Sequence, residues 1–260
     1  MPSMGAPALQ DCLAFATETA WQAGQLTLGY FQTGVRPDQK ADDSPVTIAD
    51  RKAEELIRGR IEKTFPGHGL VGEEYGETQG DRPYRWIIDP IDGTRSFVRG
   101  VPLYAVLIGY EVKGEVQAGV AYFPALGEML AAAKGGGCWW NGRPARVSDT
   151  ARLRDGVMAH ADAASFERHG KGEAWRRFQE VGGYRAGWCD AYAYLLVATG
   201  RAEVALDPIM SVWDCAPFGV ILPEAGGYFG NWRGEATIHG GEGLATTHHL
   251  LPEVLDIIQG

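Results

Sequence analysis

Residues 85–94 read Arg-Trp-Ile-Ile-Asp-Pro-Ile-Asp-Gly-Thr. Trp86, Ile87 and Ile88 form a short run of buried-strand type that ends in Asp89. Pro90 has no N–H to give a sheet ladder, so the strand is expected to stop there. Asp92 lies three residues beyond Asp89, close enough for both carboxylates to share one centre if the chain turns sharply. Gly93 permits unusual backbone angles, and Thr94 is placed to open a helix through Ser96 and Phe97. Free N–H groups at such a start favour an anion. One turn thus offers carboxylates for a hard cation and donors for a phosphate, which suits metal-assisted phosphoryl transfer to water.

Apolar residues at helical intervals run from Ala8 to Phe31, and Arg36 to Pro45 reads as a mobile loop without periodicity. A second helix is expected from Thr47, with Asp50 completing a capping-box variant, to the stop at Pro66-Gly67. Downstream of Asp89, strands at 103–111 and 115–123 flank a Lys113-Gly114 turn; segments 128–133 and 138–140 follow, the latter ending at Asn141-Gly142. Short turns between sequential strands imply an antiparallel sheet. After Ser148 the rhythm changes to strand 156–160, helix 166–181, helix 190–199 capped by Gly200, and strand 202–206. A further helix begins near Trp213-Asp214, and 251–258 forms the last. The fold class is therefore α/β in two lobes, residues 1–148 with an antiparallel sheet and 149–260 with a more parallel one.

Composition narrows the function. The 260 residues carry 33 acids against 24 Lys and Arg, a formal charge of −9, which argues against a nucleic-acid or anionic-membrane partner. Met1 to Gln10 lacks a secretory pattern, and the longest apolar run, 103–110, is too short to span a bilayer. Cys12, Cys138, Cys189 and Cys215 are scattered without a metal spacing and read as reduced thiols in a cytoplasm.

Acids recur where a fold has no need of them: Asp50, Glu73 with Glu74 after Gly72, Asp89 with Asp92, and Asp214 after Trp213. Singly, each is ordinary turn, loop or helix-start chemistry. Together they repel unless cations or protons intervene. Gly72-Glu73-Glu74, the run Asp89-Pro90-Ile91-Asp92-Gly93-Thr94, and Trp213-Asp214 with Glu224-Ala225-Gly226-Gly227 resemble the inositol monophosphatase superfamily across nearly the whole chain. The resemblance implies a layered αβαβα fold of the inositol monophosphatase and fructose-bisphosphatase type, magnesium dependence with two or three Mg²⁺ ions, and a homodimer.

Carried over by position, the resemblance implies that Glu73, Asp89, the Ile91 carbonyl, Asp92 and Asp214 hold the metals. Glu73 and Thr94 match the groups that hold the attacking water, with Asp50 polarising Thr94, and Gly93 and Thr94 N–H groups take the phosphate. Lys40 matches a mobile-loop lysine beside the metals. Arg95-Ser96-Phe97, the Trp188-x-Asp190-x-Tyr192 segment and residues 206–210 look most like the histidinol-phosphate phosphatase branch. Asp190 and Asp207 would receive the ammonium and imidazole of such a substrate, alongside Asp92, Gly93, Thr94 and a loosely assigned Arg185. Trp139, Trp140 and Trp188 read as core or interface aromatics. The leading expectation is hydrolysis of histidinol phosphate by metal-activated water. Inositol-1-phosphate or broad sugar-phosphate hydrolysis is the alternative, and a non-catalytic binder of phosphate metabolites the reading from another class.

Overall fold

The computed structural model describes residues 7–260 apart from Asp42, Arg82, Gly182 and Cys189. The thiol reading of Cys189 and most of the segment read against a leader lie outside the described residues; Cys12, Cys138 and Cys215 are free and buried. No helix among the described residues is long and apolar enough to cross a membrane.

The chain runs α1 (Leu9–Leu28), β1 (Asp38–Gln39), β2 (Pro45–Val46), α2 (Ile48–Thr64), β3 (Gly69–Gly72), β4 (Gly76–Thr78), β5 (Tyr84–Asp92), α3 (Thr94–Val98), β6 (Ala105–Val112), β7 (Glu115–Phe123), β8 (Glu128–Ala133), β9 (Cys138–Trp140) and β10 (Arg143–Pro144). A 3-10 turn leads to β11 (Val157–His160), α4 (Ala163–Arg168), α5 (Gly172–Glu180), β12 (Tyr184–Ala186), α6 (Ala191–Ala198), β13 (Val204–Asp207), α7 (Val212–Cys215), α8 (Phe218–Glu224), β14 (Gly227–Gly230), β15 (Gly243–Thr247) and α9 (Leu251–Gln259). The larger sheet has the order β10-β9-β8-β7-β6-β5-β3-β4 and is antiparallel except where β3 meets β5. The smaller has the order β12-β11-β13-β15-β14, parallel across its first three strands and antiparallel across the rest.

Strands buried on both faces sort their side chains by parity and so build the layers. Trp86, Ile88, Val106 and Ile108 face an outer layer in which α1 and α2 contribute Ala16, Ala20, Ile57 and Ile61. Ile87 and Leu107 point the other way, into a shared core with Leu195 of α6, Phe218 and Ile221 of α8, and Ala205 and Ala245 of the second sheet. Val204, Leu206 and Leu244 then face Phe166, Phe178 and Val254 of the last helical layer. The αβαβα order expected from the resemblance is present.

Three local expectations change. Arg36 to Pro45 is not irregular throughout, because β1 and β2 pair antiparallel, with Lys40 N–H donating to Ser44 O at 2.8 Å. The helix expected over 166–181 breaks into α4 and α5 at Gly170, whose φ of 71° ends the first turn. Pro90 does not stop β5. The strand continues to Asp92 across a bulge, Asp89 opposing Leu107 and Asp92 opposing Ala105, so that the residue without an N–H sits where no ladder bond is required. Strands β3, β4, β14 and β15 and helix α8 emerge in addition to the expected elements.

Gly109 of β6 pairs with Gly119 of β7 and leaves a flat spot on the larger sheet. A Cβ at Gly109 would lie 2.7 Å from the Ala216 Cβ, and one at Gly119 would lie 2.6 Å from the Pro217 carbonyl. The α7–α8 junction seats in that spot, and α7 brings Asp214 to β5.

Candidate active site

The bulge in β5 explains how Asp89 and Asp92 come together. In a regular strand, residues three apart point to opposite faces; one extra residue reverses the parity and returns both to the same side. Ile91 N–H donates to Asp89 Oδ1 at 3.0 Å and fixes the first carboxylate, while Ala191 N–H donates to Asp92 Oδ2 at 2.7 Å and fixes the second. Asp214 enters from α7 as the third residue of a capping box, with Ser211 N–H donating to its Oδ2 at 2.7 Å. One oxygen from each of Asp89, Asp92 and Asp214 lies within 4.8 Å of the others.

Burial dominates the electrostatics of this group. It pushes the Asp89 carboxyl well above its ordinary range, with the charges of Glu73, Asp92 and Asp214 adding to the effect. Asp92 is raised likewise by burial, then by Asp190 and Asp214, against the opposing hydrogen bond from Ala191. Asp214 rises to about 7 for the same leading reason, the Ser211 bond opposing. Three carboxylates buried this close together could hold a positive charge. The donors are all oxygen, which suits a hard divalent cation such as Mg²⁺ over a thiophilic metal.

Glu73 borders this group from the three-residue loop between β3 and β4, its carboxylate against that of Asp89. Lys40 of the β1–β2 hairpin reaches the same loop, its Nζ 2.7 Å from both Glu73 Oε1 and Glu74 Oε1. Those bonds raise the Lys40 pKa despite the opposing effect of burial. Burial brings Glu74 to about 7, partly countered by Lys40.

Thr94 opens α3 directly after Gly93, whose φ of 82° makes the reversal that a side chain would strain. The Thr94 hydroxyl lies 3.0 Å from Asp50 Oδ1 and 3.0 Å from the Ile91 carbonyl, so its single proton chooses between two acceptors. Asp50 is fully buried, and its other oxygen accepts from Thr47 N–H at 2.8 Å and Thr47 Oγ1 at 2.6 Å. Burial raises its carboxyl pKa, opposed by the Thr47 and Thr94 bonds. The cleft over these groups has a volume of about 180 Å³ and is lined by Ser44, Pro45, Arg95 and Asp190 besides the residues already placed.

Asp190 adopts φ 54° and ψ −149°, a backbone conformation costly for any residue but glycine, at the mouth of α6. Its carboxylate packs over Gly93, where a Cβ would lie 3.0 Å from Oδ2. Asp207, at the end of β13, is raised well above the ordinary range by burial, with Asp190 and Asp214 adding and the Ile209 N–H opposing. Arg185 is turned elsewhere: its guanidinium donates to the Val181 carbonyl at 2.8 Å. Trp139 and Trp188 are exposed, and the Arg201 guanidinium covers the Trp140 ring at 4.8 Å.

Three contributors escaped the sequence reading. Ala191 serves through its backbone N–H, for which no side-chain signal exists. Glu54 and Arg58 of α2 sit beneath the Glu73 loop. Their i,i+4 spacing was the available sign, but such a pair usually marks a solvated helix face.

The fold, this carboxylate cleft and the relatives together define the class. The inositol monophosphatase family model matches residues 8–259. The chain is 46% identical over 240 residues to a histidinol-phosphatase of Chlorobaculum parvum, which covers 92% of this chain and 93% of the relative. It is 38% identical over 196 residues to an inositol-1-monophosphatase of Mesorhizobium japonicum, covering 73% of each. The solved Thermotoga maritima inositol monophosphatase superposes with a TM-score of 0.86 at 30% identity, over 96% of this chain and 97% of that one. These relatives make the protein a phosphoric monoester hydrolase. The chain belongs to the inositol monophosphatase family.

Proposed function

We propose that the protein is a Mg²⁺-dependent histidinol-phosphate phosphatase. The observation that carries the hydrolytic reading is the convergence of Asp89, Asp92 and Asp214 within 4.8 Å beside Thr94 and Asp50. Glu73, Asp89, the Ile91 carbonyl, Asp92 and Asp214 would hold the metal, in two or three ions. Bound there, Mg²⁺ supplies Lewis acidity toward the phosphate and lowers the pKa of a water.

The chain's own groups do the rest. Asp50 accepts the Thr94 proton, which leaves the Thr94 oxygen lone pairs free to hold a water proton. Because Thr47 occupies Asp50 Oδ2, the carboxylate keeps Oδ1 turned to Thr94. Glu73 accepts the second proton of that water, and the backbone N–H groups of Gly93 and Thr94 receive the phosphate. Asp190, which lines the cleft over Gly93, provides negative potential for a cationic leaving group, a feature that an inositol ester has no use for, and Asp207 at the end of β13 would join it once a cation draws off its proton. The 46% identity to a histidinol-phosphatase supports the same choice. Inositol 1-phosphate hydrolysis is the second reading, favoured by the inositol-1-monophosphatase relative.

A small phosphorylated metabolite, rather than nucleic acid, suits the acidic balance of 33 Asp and Glu against 24 Lys and Arg. The family resemblance suggests a homodimer, and the scattered thiols suit a reducing compartment such as the cytoplasm. The test is phosphate release from histidinol phosphate and from inositol 1-phosphate at matched Mg²⁺, with and without EDTA. The proposal expects activity abolished by EDTA and a clear preference for histidinol phosphate. Full activity in EDTA would overturn the metal reading; equal or better efficiency on the inositol ester would overturn the substrate.

A further inference from the structure

We propose that Glu54 is a positioning residue that holds the loop 73–75 so that the Glu73 carboxylate faces Asp89; this rests on Glu73 being a metal-facing group. Glu54 is fully buried on α2, yet it is an acid. Its Oε2 accepts from Glu74 N–H at 2.8 Å, and its Oε1 accepts from Tyr75 N–H at 3.1 Å. Successive N–H groups turned to one side form an anion nest, and Glu54 fills it from below.

Arg58, one helical turn on, completes the arrangement. Its Nε donates to Glu54 Oε1 at 2.7 Å, its Nη2 to the Gly76 carbonyl, and its Nη1 to Thr78 Oγ1 at 3.3 Å. The two side chains thus grip the loop at both sides, the carboxylate taking its amides and the guanidinium its departing strand. Gly72 is required for the approach: a Cβ there would lie 2.2 Å from Glu54 Oε1 and 2.9 Å from Arg58 Nη2. A carboxylate is the only side chain of this shape that accepts at both oxygens. Glutamine would aim an NH₂ group at a donor on one side or the other.

The charge on Glu54 is neutralised by Arg58, so it neither competes for the cation nor adds to the repulsion at Asp89. What it fixes is the direction of Glu73, whose own side chain otherwise has Lys40 as its partner across the loop. Loosening the clamp therefore weakens metal binding without removing a ligand.

The test compares Mg²⁺ binding by calorimetry and Mg²⁺-dependent kinetics in wild type, Glu54→Gln and Glu54→Asp. Tyr75→Phe, which removes only the Tyr75 hydroxyl bond to Glu55 on the outer side of the loop, is the control. The expected result for Glu54→Gln is at least a tenfold weaker Mg²⁺ Kd, with kcat recovered to within about threefold at saturating Mg²⁺. Glu54→Asp should fall between, and Tyr75→Phe should match wild type. Where circular dichroism shows Glu54→Gln unfolded, Glu54→Asp carries the comparison, with Kd raised severalfold at unchanged saturated kcat. Mg²⁺ binding within twofold of wild type in a folded Glu54 variant overturns the clamp. A wild type that gives no Mg²⁺ heat at all overturns the metal reading beneath it.

Discussion

Gly109→Ala should damage the active site through the α7–α8 junction that packs on the same face of the sheet. The added Cβ would stand 2.7 Å from the Ala216 Cβ and 3.3 Å from the Ala216 carbonyl carbon. Carbon atoms in contact prefer about 3.5–4.0 Å, so close to 1 Å of overlap must be relieved. Strand β6 cannot retreat, because β5 and β7 flank it and Val106 and Ile108 are packed beneath α1 and α2. The α7–α8 junction has to move instead. Overpacking of this kind costs about 1–3 kcal/mol, which for a chain of this length is roughly 2–4 °C of Tm per kcal/mol. Asp214 lies two residues before Ala216, and a displacement near 1 Å in a catalytic constellation costs on the order of 100-fold in rate. Gly109→Ala should therefore unfold at lower urea, bind Mg²⁺ more weakly and lose at least tenfold in kcat/KM. Ala216→Gly removes the opposing methyl at a cost of up to about 1 kcal/mol in backbone freedom. In the double variant it should return most of the stability and activity, giving a coupling of about 1–2 kcal/mol across the cycle. A Gly109→Ala protein with wild-type stability and Mg²⁺ affinity, or strict additivity with Ala216→Gly, would refute the reasoning.

Three further outcomes follow from the site. The Asp214 carboxyl is lifted from 3.8 to about 7, chiefly by burial, so the metal-free folded state binds its proton more tightly than the unfolded chain does. That contribution to stability is present below the ordinary carboxylate range and is lost as pH rises toward 7, shared with Asp89 and Asp92, which are raised beside it. In EDTA, wild-type Tm should fall over this window, and Asp214→Asn should flatten the fall and be the more stable protein at pH 8; parallel curves would contradict it. Thr94→Val removes the hydroxyl that Asp50 orients and should lower kcat by about 10²–10⁴-fold with little change in KM, as steady-state kinetics would show. Asp190→Asn should raise KM for histidinol phosphate more than for inositol 1-phosphate; equal effects on both esters would place Asp190 outside leaving-group recognition.

The antiparallel sheet was legible because its signals are local, while the layered αβαβα order came from the family resemblance. The apolar run Trp86, Ile87 and Ile88 and the short turns at Lys113-Gly114 and Asn141-Gly142 are readable within a dozen residues, and the antiparallel sheet follows from the turns. The short strands were not. Gly69–Gly72 and Gly227–Gly230 each begin and end in glycine, a residue that punctuates a pattern rather than showing one, and they become strands only because a neighbour supplies the ladder. Spacing brought Asp89 and Asp92 under suspicion, but the device that unites them was misread. Pro90 reads as a stop, and only the pairing with Leu107 and Ala105 shows it occupying a bulge that turns both carboxylates to one side.

Distance along the chain explains the remaining gap. The resemblance placed Asp214 with Asp89, but the Gly109–Gly119 pair that seats the α7–α8 junction was not legible, because nothing in the local sequence around either glycine says what will lie against it. Glu54 is harder still, since an acid four residues before an arginine on a charged helix is the ordinary appearance of a solvated face. Its burial is decided by Gly72 and by two backbone N–H groups of a loop some twenty residues on. The two acids differ in how their charge is met. Glu54 is answered within the chain by Arg58 and by N–H donors, whereas Asp89 has other carboxylates about it. Glu54 has its own cation in Arg58, whereas the Asp89 group is the one to which the proposed function assigns a cation from solution. That contrast, which composition cannot show, separates the acidity that shapes this fold from the acidity on which the proposed chemistry rests.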